Sequence, residues 1–506
     1  MSPAAHGSVG RDACATLRAV SDRPMTPRAG RAASADGSTS DALSAAELVH
    51  LTGGRLVRDS HRLIRGAAVD SRAVRPGELF VALPGERTDG HRFLREAVIG
   101  GAAGLLVAME PEPATLAAVG DVTIVVVPDP LAGLQAIAAG WRHRFAPIVV
   151  GVTGSIAKTS TKEAIACVLQ AAGRTLRSEG NRNNEIGLPL TLLGLRADDR
   201  YAVLEMGMYA RGEIARLAEL ARPSIGVVTA VLGVHLSRIG SIEAVADAKA
   251  ELIEALPVDG WAILNADDPR VRSLALRTPA RTLTYGFAPD ADVRADRVRS
   301  LGPDGMHFRL VATGARGTVA ASFPVRIPAL GRLSVHNALA GAAVGLATGL
   351  APDAIARALA TGWRAPHRAE LFSVGGITIV DDSYNASPAS VAAALDLLAG
   401  LPGRRVAVLG EMLELGDQSD AAHRATGAAA AAVVHLLVTV GTGATPVAEG
   451  ARAAGLETTE VIETGDRASA LEALRHHLRP GDVVLVKASR GAELDRLVAD
   501  LRSAFA

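Results

Sequence analysis

Gly151-Val152-Thr153-Gly154-Ser155-Ile156-Ala157-Lys158-Thr159-Ser160-Thr161-Lys162-Glu163 decides how this chain is read. The apolar run Ile148-Val149-Val150 before it predicts a buried strand. Ala164 to Ala172 after it predicts a helix closed by Gly173 as a C′ residue. Strand, loop of small residues, Lys-Thr and helix form the layout of a phosphate-binding loop. N–H groups at the helix N-terminus face the anion, and the helix dipole favours negative charge there. In that layout Gly154, Ser155, Ile156, Ala157 and Ser160 surround a nucleoside triphosphate, Lys158 neutralises its β- and γ-phosphates, and the Thr159 hydroxyl sits on Mg²⁺. Ala157 is off pattern, because that position is normally glycine. Glycine serves there either to take φ > 0 or to let the backbone approach the anion. With a methyl group, either requirement predicts weaker nucleotide binding.

With 506 residues the chain is too long for a single core. Lys plus Arg and Asp plus Glu are equal at 53 each, so no global field attracts nucleic acid or anionic lipid. Two cysteines, Cys14 and Cys167, cannot build a disulfide framework, and no Cys/His cluster has zinc spacing. No apolar run is long enough to span a bilayer, and no signal-peptide core is visible. These features predict a soluble, cytoplasmic protein, expected to be a monomer. Aromatic residues are only 3% against 49% hydrophobic, which predicts cores of Ala, Val, Leu and Ile in helix-covered sheets.

Four segments follow in order. Residues 1–40 are rich in Ser, Ala, Gly and Arg without periodicity and are predicted to be a disordered tail. Residues 41–146 form a predicted small α/β domain, opening with a helix at Ser44-Ala45-Ala46-Glu47-Leu48. It carries Ser71-Arg72 and the Thr88-Asp89-Gly90-His91 loop, groups able to grip a diphosphate or sugar. Residues 147–363 alternate strand and helix, predicting a doubly wound, mostly parallel sheet with strands at Ile148–Val150, Ala202–Leu204, Ile225–Val228 and Ala262–Leu264. Glu205, His235 and Asn265-Ala266-Asp267-Asp268 lie at or beyond those strand ends. About 281–328 reads as a small antiparallel excursion. Residues 364–506 predict a second, Rossmann-like domain with strands at Ile377–Val380, Val406–Leu409, Leu436–Val440 and Val483–Val486. Its strand ends carry Asp381-Asp382-Ser383-Tyr384-Asn385-Ala386-Ser387-Pro388, Gly410-Glu411-Met412-Leu413-Glu414-Leu415-Gly416 and Lys487-Ala488-Ser489-Arg490-Gly491. Three polar loops on one sheet edge predict a binding face.

Across residues 44 to 500 these motifs resemble the Mur ligases. Thr153-Gly154-Ser155 with Lys158-Thr159, Asn183-Asn184-Glu185-Ile186-Gly187, Glu205, His235 and Asn265 to Asp268 resemble the family as a whole. The Asp381 to Pro388 segment, Met412 to Gly416 and Asp89-Gly90-His91-Arg92-Phe93 resemble its D-alanyl-D-alanine-adding branch. The resemblance implies an ATP-dependent ligase that activates the carboxylate of UDP-N-acetylmuramoyl-tripeptide as an acyl phosphate and joins it to D-alanyl-D-alanine. It implies Glu205 and Thr159 on Mg²⁺, and His235 with a carbamylated Lys249 on a second Mg²⁺. It also implies nucleotide contacts from Asn265, Asp268, Asn337, Arg368 and Asp382. Substrate contacts are implied for Ser71, Arg72, Thr88, Asp89, Gly90, His91, Asn183, Asn184, Asn385, Ser387, Lys487 and Arg490. The chain departs from the family pattern at Ala157, Ala230, Leu232-Gly233 and Ala488. Aligning Asn337-Ala338 also places Leu333 where the family has His, with His336 three residues along. Two further readings stay open: a related ligase taking another amine, and a weakened nucleotide-sugar-binding paralogue.

Overall fold

The computed structural model describes residues 41–85, 88–233, 239–314 and 318–506. The predicted 1–40 tail lies outside them. Three sheets organise the described residues, in line with the expected three-domain α/β class. The first runs Arg55–Arg58, Thr123–Val126, Gly104–Val107, Leu79–Val81, Ala67–Ala68, with only the first pair antiparallel. The expected opening helix spans Ala45–Thr52, and Ser44 and Glu47 close a capping box at its start.

The second sheet has nine strands. Their spatial order is Val319–Ile327, Met306–Thr313, Val293–Ser300, Arg281–Gly286, Trp261–Asn265, Ile225–Val228, Ile148–Thr153, Tyr201–Glu205, Thr175–Arg177. Two expectations are corrected. Arg281–Gly286 is a parallel strand beside Trp261–Asn265, and the antiparallel meander of the next three strands extends the same sheet. The phosphate-loop helix spans Lys158–Gln170, and Gly173 lies past its end without a left-handed φ, so it is no C′ glycine.

Alternation along Ile148–Thr153 explains its central place. Ile148, Val150 and Val152 pack on one face with Ile165, Val168 and Leu169 of the helix that follows, while Val149 packs into the cluster on the other face. Gly151 lies on the Val149 face, where a Cβ would come within 2.7 Å of Leu252. Its bareness lets the helix Ile242–Glu254, which carries Lys249, lie close to the loop's own strand. On the opposite face helix Gly331–Ala347 packs on the phosphate-loop helix through Gly341 and Gly345, where a Cβ would meet Ala164 and Val168.

The third sheet runs Glu370–Val374, Ile377–Asp381, Asp482–Lys487, Arg404–Gly410, Leu436–Val440, Val461–Thr464, antiparallel only at the first pair. Asp381 pairs with Val486 and Leu409 with Lys487, so the three polar strand ends lie side by side. Among the described residues no helix is long and apolar enough to cross a membrane.

Candidate active site

The phosphate loop is braced by hydrogen bonds from within the chain. Ser155 N–H donates to the Ala230 carbonyl (2.8 Å), and the Thr229 hydroxyl donates to the Ile156 carbonyl (2.6 Å). The Ser155 hydroxyl donates to the Leu232 carbonyl and accepts from the Leu232 N–H. Lys158 Nζ reaches back to the Gly154 carbonyl (2.8 Å). A Cβ on Gly154 would overlap the Thr229 hydroxyl, so only glycine fits beneath that clamp. Ala157 has φ 63° and ψ 3°. Of the two reasons for glycine there, the left-handed backbone is thus one this chain meets with a side chain. Burial pushes the Lys158 ammonium down, Glu205 pulls it up, and Arg368, just ahead of the third sheet's first strand, pushes it down further.

Beneath the loop lie Glu205 and Lys249, each 2% exposed. Asn183 Nδ2 donates to Glu205 Oε1 (2.8 Å), while the buried Glu205 Oε2 has no partner among the described residues. An anionic oxygen held this way suits a hard cation. Lys249 pairs with no carboxylate among the described residues, and burial, then Lys158, hold its ammonium well below the ordinary lysine range. No group of three or more His, Cys, Asp and Glu side chains placed to hold a metal ion occurs among the described residues. The expected metal residue His235 lies outside the described residues.

A cavity of about 330 Å³ spans the loop and the third sheet. Ser155 to Ser160 and Asn337 line one wall, with Arg368, Asp382, Asn385, Ser387, Lys487 and Arg490 on the other. Lys487, 3% exposed, is held inside the wall by Asp382 Oδ2 (2.5 Å) and the Asn385 carbonyl (2.9 Å). Ser387 also caps helix Pro388–Ala399. Asn337 accepts from the Thr161 hydroxyl (2.9 Å), tying two central helices together.

Three expected contacts are occupied with building the site. Asn265 Nδ2 donates to the Thr229 carbonyl (2.8 Å), so it steadies the loop that clamps Ile156. Asp268 accepts from Val231 N–H (2.7 Å) and caps helix Pro269–Ser273. Asn184 Oδ1 accepts from the Gly187 N–H at the start of helix Gly187–Leu192 (2.9 Å). Asp267 accepts from His336 Nε2 (2.8 Å). Burial pushes its carboxyl up, but that bond and the Phe287 and Ala288 N–H groups hold it below the usual range. None of the expected residues of the first sheet lines the cavity. Arg72 forms a fork with Asp70 (2.9 and 2.7 Å). His91 lies between Asp89 (2.6 Å) and the Ala108 N–H (2.8 Å), which fixes its proton on Nδ1. Gly90 packs against the backbone of Ala82 and Leu83, and Thr88 opens the same loop.

Family models match three stretches: the Mur ligase family catalytic domain at 63–142, the Mur ligase middle domain at 152–345, and the Mur ligase glutamate ligase domain at 367–490. A Mycobacterium bovis protein named UDP-N-acetylmuramoyl-tripeptide--D-alanyl-D-alanine ligase is 39% identical over 512 residues, covering 90% of this chain and 98% of that protein. The chain belongs to the Mur ligase family.

A Bacillus subtilis protein of the same name is 37% identical, covering 87% of this Mur ligase and 93% of that protein. A crystal structure of MurF from Acinetobacter baumannii superposes with a TM-score of 0.80 at 29% identity, covering 91% of this chain and 99% of that one. MurF ligase from Thermotoga maritima, solved in complex with ADP, gives 0.74 at 28% identity, with coverage of 87% and 98%.

Within this Mur ligase, Ala230 contributes its backbone carbonyl, which any residue supplies. Leu333 lines the cavity wall, while His336 is turned to Asp267 against Phe287 (ring centroids 4.7 Å apart) and does not take its place. Sequence reading missed Ser178, whose hydroxyl accepts from Glu205 N–H and whose carbonyl accepts from the buried Lys162. It also missed Thr229 and Tyr384 as supports. Thr229 follows a strand end, and Tyr384 sits inside a recognised motif, so both were findable by position.

Proposed function

We infer that this Mur ligase is an ATP-dependent amide ligase that joins UDP-N-acetylmuramoyl-tripeptide to D-alanyl-D-alanine in peptidoglycan precursor synthesis. The carrying observation is one cavity shared by the phosphate loop and three strand-end loops of the third sheet, in a chain whose relatives bear that name. A carboxylate oxygen of the tripeptide attacks the γ-phosphorus of ATP, and ADP leaves. The dipeptide nitrogen then attacks the acyl carbon, the tetrahedral intermediate expels phosphate, and the nitrogen loses a proton. Such a reaction needs fixed positive charge and aligned reactants. Lys158 and the loop N–H groups face the phosphates. Arg368 lines the same cavity as Lys158, and this reading assigns it to the transferred group. Arg490 suits the dipeptide carboxylate, because a guanidinium matches a planar anion.

Thr159 and the free Glu205 Oε2 would hold Mg²⁺, which when bound offsets charge on the γ-phosphoryl group. Lys249 fits the carbamate expected of it: burial favours its neutral amine, the form that adds CO₂, and the product is an anionic oxygen donor. The first-sheet residues Ser71, Arg72 and Thr88 to His91 are assigned to the UDP end. The test is phosphate release with ATP and UDP-N-acetylmuramoyl-tripeptide while the amine is varied. Release stimulated by D-alanyl-D-alanine is expected. Stimulation only by glutamate or a diamino acid would assign the enzyme to another branch, and no release with any amine would leave a binding paralogue.

A further inference from the structure

We propose that Tyr384 is a positioning residue that holds the two guanidinium groups of the cavity, Arg368 and Arg490, at a working separation. Arg368 stands over the Tyr384 ring at 4.2 Å from its centroid, and Arg490 at 5.1 Å. The two cations are therefore no further apart than the sum of those distances, although they come from segments more than a hundred residues apart in sequence. Both line the cavity, and Tyr384 does not. Like charges this close repel, and the negative face of an aromatic ring is what the site offers to both of them.

The backbone of Tyr384 ties the same assembly together. Its N–H donates to the His367 carbonyl (3.1 Å), while His367 Nδ1 pairs with Asp381 (2.8 Å) and Ala369 N–H donates to Asp382 (3.1 Å). His367 and Ala369, on either side of Arg368, both have left-handed backbones, with φ 59° and 52°. Non-glycine residues hold such conformations only where surroundings over-determine them. The result is an Arg368 aimed from a fixed support onto the ring that also carries Arg490. Resting on the ligase reading, this assigns Arg368 to the γ-phosphoryl group and Arg490 to the dipeptide carboxylate, with one ring setting the distance between the two reactants.

The experiment compares Tyr384→Phe, Tyr384→Leu and replacement of Tyr384 by pentafluorophenylalanine, which keeps the ring shape and inverts its quadrupole. Steady-state phosphate release gives KM for ATP and for D-alanyl-D-alanine, and titration gives the Kd of ADP, which lacks the γ-phosphoryl group. Tyr384→Phe is expected to match wild type. The Leu and fluorinated variants are expected to raise both KM values by roughly tenfold while the ADP Kd stays unchanged. The fluorinated variant decides the matter if Leu prevents folding. Unchanged KM values, an effect on one substrate only, or a parallel loss of ADP affinity would overturn the proposal. A wild-type enzyme inactive with D-alanyl-D-alanine would instead remove the functional reading beneath it.

Discussion

Replacing Ala157 by glycine tests whether the phosphate loop stores strain. An L-residue with a side chain held left-handed costs about 1–2 kcal/mol, and Ala157 is held at φ 63°. Glycine removes that cost but adds about 0.4–1 kcal/mol of unfolded-state entropy. The net gain is about 1 kcal/mol, or about 2–4 °C in Tm for a unfolding unit of 150–250 residues. Where the gain appears depends on when the conformation forms. The bonds from Ser155 to Ala230 and from Thr229 to Ile156, and the Thr161 N–H to the Ala157 carbonyl (2.8 Å), join protein groups only and need no nucleotide to form. The strain is then present in free and bound enzyme alike and cancels from affinity. The expectation from sequence places the cost in ATP binding instead, and the two differ in what the assays below read. Thermal melts and ATP titrations of wild type and Ala157→Gly should show higher stability with little change in Kd. A variant no more stable than wild type would refute the strain. Tenfold tighter ATP binding at equal stability would show that the loop reaches this conformation only with nucleotide bound.

Lys249→Met should abolish phosphate release, and short carboxylates should restore part of the activity of Lys249→Ala. Because the folded protein holds the Lys249 pKa down, the unfolded chain binds more protons between that value and the ordinary one, and stability rises with pH across that window. Melts without CO₂ or Mg²⁺ should therefore find Lys249→Met more stable than wild type at pH 7, with the gap narrowing toward alkaline pH. Glu205→Gln replaces the uncommitted oxygen or its partner with an amide, so Mg²⁺ titration of activity should shift to higher concentration. Lys487→Met leaves the partly buried Asp382 carboxylate with the Ala369 N–H alone, and denaturant unfolding should show a loss of about 1–3 kcal/mol. An unaltered midpoint would mean water already satisfies that carboxylate.

The strands that flank the site were legible because each is a short Val/Ile/Leu run ending in polar or glycine residues. Ile225–Val228 and Leu436–Val440 match their expected bounds. Thr175–Arg177 was not legible, since two half-exposed residues and an exposed one at a sheet edge carry no periodicity. Arg281–Gly286 was misread because its alternation matches an antiparallel strand, and only its neighbour, Trp261–Asn265, fixes its direction. At the site, sequence located the right loops but could not say which polar atoms face the cavity. Asn265, Asp268 and Asn184 carry side chains that serve a ligand or a helix cap equally well. Thr229 and Val231, the partners of Asn265 and Asp268, lie 36 and 37 residues away and are chosen by the tertiary fold, while Asn184 meets Gly187 only 3 residues on.

The chain passes from the second sheet to the third once, between Thr361 and Glu370. Gly362 is wedged against Pro328, where a Cβ would come within 2.3 Å, so that end belongs to the central body. His367 and Ala369 are fastened to Asp381 and Asp382, so the other end belongs to the far wall. Trp363 still packs on the central core, so residues 364–366 are left as the joint. Arg368 sits two residues from it, a reach of about 7 Å at full extension, and Arg490 shares the Tyr384 ring with it. Any turn about that joint therefore carries both guanidinium groups as one unit, and they reach the phosphate loop, or leave it, together.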